Sequence, residues 1–342
     1  MPTPTPPPSP IPERLHERLP PSADLVDDGI VIDLVAAASA PSIGEAPVDA
    51  GMLLVQLGAF GWSDPAAPFA EGEPFLLTAD GEWRTFDLDR YGLESPVYAE
   101  LSSAISRDGR SVAFADPSGV VTVDLRDGTF RRFEPPVHEA VALAWSPDGS
   151  SLLLKDRHDR RRPCGPTGCR LDVSTGQLTR VPFNVFYAAY DDLGAVVEMQ
   201  SPAGDRGGSV VTHPPDGPPT VTPLRVRTLA HTAGGPAAAR HVAFAQCRGR
   251  SAELDNGVVV VDPTSGTAEA MLTSPHRRCR LGAQAWLDDD HLVVHDWPGG
   301  DLWLWEVGQP PAHRFVASPS ATVHYQVAEA VMARRFRHLL DG

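Results

Sequence analysis

The chain has 342 residues, 42% of them hydrophobic and 21% charged, enough for one large core or two modest ones. Its formal charge of −15 argues against a general nucleic-acid binder, which would normally carry a basic face. No window reaches the roughly eighteen continuous apolar residues that a membrane-spanning helix needs; the best, GIVIDLVAAASA at 29–40, is too short and carries Asp33.

Lys155 is the one lysine among 29 basic residues, and Asn184 and Asn256 are the only asparagines, a bias of high-GC coding that points to a bacterial source. No basic stretch followed by an apolar run opens the chain, so as written it reads as cytoplasmic. An anchor or signal upstream of Met1 would instead make it extracytoplasmic.

Residues 1–22 hold nine prolines and little that is apolar. This predicts a disordered, polyproline-type tail over 1–28. Further on, short alternating runs are separated by Gly, Pro, Asp and Ser. Six of them share a strand–turn–strand pattern: FLLTADGEWRTF (75–86), VTVDLRDGTFRRF (121–133), CRLDVSTGQLTRV (169–181), VVTHPPDGPPTVT (210–222), VVVDPTSGTAEAM (259–271) and LWLWEVGQPPAHRF (302–315). Their turns begin near Ala79, Asp124, Asp172, His213, Asp262 and Glu306, at intervals of 45, 48, 41, 49 and 44 residues. A period in the mid-forties is what four strands and their connections require, and it signals a propeller.

Each hairpin is preceded by another. Its turn is clearest in SRDG (106–109) and SPDG (146–149), and degenerate in YDDLG (190–194) and WLDDD (286–290). Asp and Gly suit such turns because they cap the backbone locally and tolerate left-handed angles. The runs that follow, SVAFA, SLLLK, AVVEM, HVAFA and HLVVH, are apolar enough to be buried between sheets. The expected fold is therefore all-β, a β-propeller over 29–326 with six blades of four antiparallel strands, five or seven being the alternatives. To close the ring, MLLVQLGAF (52–60) and TVHYQVAE (322–329) are the candidates to share a blade. VAEAVMARRFRHLL (327–340) has apolar residues at helical intervals, which predicts a short amphipathic helix packed on the propeller over 327–342.

AISRDGRSVAFA and AWSPDGSSLLL resemble the WD40-like repeats of the TolB type, in which a Ser-x-Asp-Gly turn precedes a buried strand. The Gly-His and Trp-Asp dipeptides of true WD40 blades are missing. The resemblance implies a propeller used for protein contacts or as support for a separate catalytic domain, and no single activity.

The chain lacks Gly-x-Ser-x-Gly, Gly-x-Gly-x-x-Gly, Walker A and His-Glu-x-x-His motifs, and no cofactor or catalytic residue is assigned. LDDDHLVVHDW (287–297) is the densest acidic and imidazole cluster. His291, His295 and Asp289 are weak candidates for a metal, because on a strand His291, Val293 and His295 share a face, which puts both imidazoles on the same side. Against this, all ligands would come from one blade. KDRHDRRRPCGPTGCR (155–170) is the longest excursion between second and third strands and the most basic stretch. Arg157, His158, Arg160, Arg161 and Arg162 are the candidate partner-binding residues. Cys164–Cys169 and Cys247–Cys279 are the candidate disulfides, with four reduced thiols as the alternative. Trp145 and Trp286 occupy equivalent blade positions and are expected in the core; packing is likewise expected for Trp303 and Trp305.

The leading reading is a monomeric, non-catalytic scaffold that binds a protein or peptide through rim loops, with no nucleic acid and no membrane insertion by this segment. The alternatives are a metal-dependent lactonase or lyase, and the sensor ectodomain of a membrane-anchored protein.

Overall fold

Alternating runs of five or six residues, punctuated by turn formers, can bury their apolar faces only by pairing with their sequence neighbours and stacking. The computed structural model describes residues 11–20, 23–57, 72–93, 102–116, 119–133, 140–156, 164, 167–200, 208–226, 241–246, 257–274, 281–296, 299–318 and 323–341. In it the strands form six separate small sheets, the blades of a β-propeller. The chain packs as two compact units.

One unit comprises Val31–Val185, Pro298–Gly300 and Ala317–Gly342. Its first sheet has the order Val323–Val327, Gly51–Leu57, Pro74–Thr78, Trp83–Thr85. The two segments expected to share a blade do so, antiparallel, with Tyr325 opposite Val55 and His324 opposite Gln56. The second sheet is Ser102–Ile105, Ser111–Asp116, Gly119–Asp124, Phe130–Phe133; the third is Ala140–Trp145, Ser151–Asp156, Cys169–Asp172, Leu178–Arg180. Central strands carry the core: Val112, Ala113, Phe114, Val120, Val121, Leu152 and Leu154 are all inaccessible to solvent. Each large side chain so buried contributes about 1.5–3 kcal/mol. A short helix α1 (Leu34–Ala38) is capped by Asp33, whose Oδ1 accepts the amides of Val35 and Ala36 at 3.1 and 2.9 Å. The predicted C-terminal helix forms as two pieces, α2 (Glu329–Arg335) and α3 (Arg337–Leu340).

The other unit comprises Met1–Ile30, Phe186–Trp297 and Asp301–Val316. The fourth sheet is Ala188–Tyr190, Val196–Gln200, Ser209–His213, Thr220–Pro223. The fifth contains Val242–Gln246, Gly257–Val261 and Ala268–Thr273. The sixth is Leu281–Trp286, His291–Asp296, Asp301–Glu306, His313–Ala317, with Ile30–Val31 added at its edge.

The N-terminal segment departs from expectation. Residues 1–10 lie outside the described residues, but His16–Arg18 form a strand, parallel to Ala268–Thr273, on the edge of the fifth sheet. A disordered tail running to residue 28 is thus corrected for this stretch. The reason is local: residues 13–19, ERLHERL, are a proline-free island, so their amides are free to join a sheet edge. Leu19 donates its amide to the Thr273 carbonyl at 2.9 Å. The Thr273 hydroxyl donates to the Glu17 carbonyl at 2.7 Å, and the Trp305 indole N–H to the Glu17 carboxylate at 2.6 Å. Burial raises the Glu17 pKa, opposed by the hydrogen bonds from Trp305 and Gly308. Two apolar anchors hold the segment. Leu19 is buried among Ala243, Val258, Leu292 and Trp305, and Ile11 among Val197, Val210, Val259 and Met271.

Candidate functional site

Loops and turns between strands are where a propeller carries chemistry or recognition. In SPDG the Ser146 hydroxyl donates to Asp148 at 2.7 Å and accepts the Ser151 amide at 2.9 Å. Asp148 also accepts from the Ser150 amide and hydroxyl, at 3.0 and 2.8 Å. SRDG repeats this with Ser106, Asp108 and Ser111. Where the motif degenerates, one carboxylate takes over. Asp191 accepts the amides of Leu193 and Ala195, and Asp288 those of Asp290 and His291.

The turns between third and fourth strands are built the same way. Asp172 accepts the Ser174 and Thr175 amides and the Ser174 hydroxyl; Asp262 accepts the Thr264 amide and hydroxyl. Hydrogen bonds, chiefly from the Ser174 and Thr264 side chains, lower both carboxyl pKa values to about 2. Asp148 is lowered for the same reason, first by Ser146. Asp191 goes the other way, raised by burial. These acids serve as structural caps, which makes them poor candidates for general acids or bases.

The histidine pair sits in the sixth sheet. His291 is buried, with Nδ1 2.9 Å from Asp288, and His295 is wholly inaccessible opposite Leu302. The acid that meets His291 is Asp288, through both carboxylate oxygens at 2.9 and 3.0 Å. Among the described residues no three His, Cys, Asp or Glu side chains are grouped to hold an ion. A second buried polar group, with no sequence signal, lies in the fourth sheet: Glu198 accepts from Gln200 at 2.8 Å and lies 3.4 Å from His213 Nε2.

At the base of the basic excursion Cys164 and Cys169 are disulfide-bonded, with Cα atoms 4.9 Å apart. Both are buried in the core of the second and third sheets with Phe133, Leu152, Leu154 and Leu171. Arg157, His158, Arg160, Arg161 and Arg162 lie outside the described residues, as do Cys247 and Cys279. The tryptophans pack. Trp286, Trp303 and Trp305 are buried, and the Trp145 indole N–H donates to the Ala104 carbonyl at 3.3 Å, tying the third sheet to the second. Sequence reasoning passed over one exposed basic group, Arg334, Arg335, Arg337 and His338, at the end of α2 and on α3. Its signal, ARRFRHLL, was legible but was read only for its apolar face.

No family model matches the chain, and no curated protein matches it. Among solved structures it is similar to TolB from Acinetobacter baumannii, at 18% identity over 78% of this chain and 67% of that one, TM-score 0.46. It is also similar to a chain of the nidogen/laminin complex, at 11% identity over 81% of this chain and 98% of that one, TM-score 0.47. A third similarity is to the C-terminal WD40 domain of Sif2, at 16% identity over 62% of this chain and 56% of that one, TM-score 0.39.

Proposed function

We propose that the chain is a non-catalytic β-propeller scaffold that binds a protein or peptide partner through rim loops, chiefly the excursion over 155–170. The observation that carries this reading is the Cys164–Cys169 disulfide, sunk in the core at the root of the most basic loop of an acidic protein. A loop rooted in a rigid core loses less entropy on binding than one that is free. Use of the turn carboxylates as caps supports a scaffold over an enzyme.

A disulfide also favours an oxidising compartment, which supports an extracytoplasmic setting. Thiol counting on denatured protein trapped directly from cells tests that part. Peptide mapping should find Cys164 and Cys169 unreactive until reduced, and alkylation at these two positions without reductant would contradict it.

For binding, the test compares partners cross-linked to the wild type and to a charge-reversed excursion, R157E/R160E/R161E/R162E. A partner lost on reversal while the melting temperature is unchanged fits the proposal. An unaltered set of cross-linked partners sinks it.

A further inference from the structure

The basic group at the C-terminus lies wholly within described residues and is rigidly supported. Val331, Met332 and Phe336 are 2%, 0% and 0% exposed on the inner side of the helices. The Ala328 amide donates to the Met52 carbonyl and that of Ala330 to the Arg107 carbonyl, both at 3.0 Å, which fixes α2 on the first and second sheets. Outward face Arg334, Arg335, Arg337 and His338, all exposed. Arg334 and Arg335 end α2, and Arg337 and His338 begin α3 directly after Phe336, so the four lie within five consecutive positions. Arg337 meets Asp341 at 3.4 Å; Arg334 and Arg335 carry no ion pair among the described residues.

A cation in the last turn of a helix gains about 0.3–1 kcal/mol from the helix dipole, and like charges one turn apart lose a few tenths each. One arginine would suffice for the first effect; three in four residues work against it. On a chain of net charge −15 this concentration is unexpected unless something is attracted to it.

We propose that the outer face of α2 and α3, formed by Arg334, Arg335, Arg337 and His338, is a docking surface for an acidic protein segment. The patch is no longer than the two short helices, about 17 Å at 1.5 Å per residue. A run of four to six acidic residues fits inside it. A DNA duplex or an anionic bilayer extends far beyond it and meets the negative remainder of the protein, repelled over a Debye length of about 8 Å. The residues named here are other than those of the 155–170 excursion, so either reading stands if the other fails.

The test titrates the full chain against a fluorescein-labelled deca-glutamate peptide. Parallel titrations use a 20-base-pair DNA duplex and vesicles of 70% phosphatidylcholine and 30% phosphatidylglycerol. The peptide should bind most tightly, and weaken at least tenfold between about 20 and 200 mM salt. R334E/R335E/R337E should lose at least tenfold in peptide affinity at unchanged melting temperature. R334Q/R335Q/R337Q, which adds no repulsion, should lose a smaller but measurable amount and carries the test if the reversal misfolds. R157E/R160E/R161E/R162E should leave peptide affinity within twofold. Peptide affinity unchanged in both C-terminal variants overturns the proposal, as does a loss confined to the excursion variant. Tighter binding of duplex or vesicles than of peptide also overturns it.

Discussion

Leu19→Ala tests whether the N-terminal segment is a working part of the fifth sheet. Leu19 is 3% exposed and packs with Val258, Leu292 and Trp305, so truncation removes three buried carbons from a cluster that relaxes only in part. Core Leu→Ala changes cost about 2–5 kcal/mol, and a site at a sheet edge belongs near the middle of that range or below, about 3 kcal/mol. With an unfolding entropy of about 2.1 cal/mol/K per residue, a chain of this length loses roughly 0.7 kcal/mol per degree near its melting point, so the midpoint should fall by about 4 °C. The neighbour Arg18 is exposed, and Arg18→Ala should stay within about 0.5 kcal/mol. Urea unfolding gives the energies. Amide exchange along 268–273 localises the effect, because the lost anchor should let the strand over His16–Arg18 open first. Equal stability for the two variants would refute the reasoning, and with it the assignment of residues 16–19 to the sheet.

Two glycines in the same motif should behave differently. Both take left-handed angles, φ 74° at Gly109 and 70° at Gly149. A Cβ at Gly149 meets open space, whereas one at Gly109 runs into the Gly51 carbonyl and Val331. Gly149→Ala should cost about 1–2 kcal/mol and Gly109→Ala clearly more, with equal costs in urea melts contradicting the packing described. Asp172 and Asp262 should titrate at about 2 by carbon-detected NMR. Because these values lie below the usual 3.8, their stabilisation is complete above about pH 4 and is lost as pH falls through about 2. Asp262→Asn should therefore shrink the loss of stability between pH 4 and 2; titration near 3.8 would rule out the capping geometry.

What the sequence made legible was the part encoded locally. SRDG and SPDG are complete hydrogen-bonded units within six residues, so repetition alone exposes the blade pitch. The apolar runs in Ser111–Asp116 and Ser151–Asp156 likewise report burial, since Val112, Ala113, Phe114, Ala115, Leu152, Leu153 and Leu154 are all buried. The terminal strands at 51–57 and 323–327 were recognisable as a pair because the repeat left each without a blade of its own. His16–Arg18 offered nothing comparable. Three polar residues show no period, and the partner strand lies some 255 positions away. In HLVVH the sequence shows two imidazoles on one strand face but not their surroundings: every residue of His291–His295 is buried, and His291 meets the adjacent turn acid, Asp288. Recognition surfaces are least legible of all, since surface charge is free of the periodic constraint that packing imposes on a core.

All of this depends on the last strand completing the first sheet, and a cross-link tests that most directly. His324 and Gln56 are register partners, so cysteines placed there should lie within the roughly 4.4–6.8 Å Cα separation that a disulfide spans. H324C/Q56C should form a new disulfide rapidly under mild oxidation and migrate as a looped chain until reduced, while H324C paired with M52C should not. A bond in the second pair, or in neither, would mean that the strands at 51–57 and 323–327 do not pair as described.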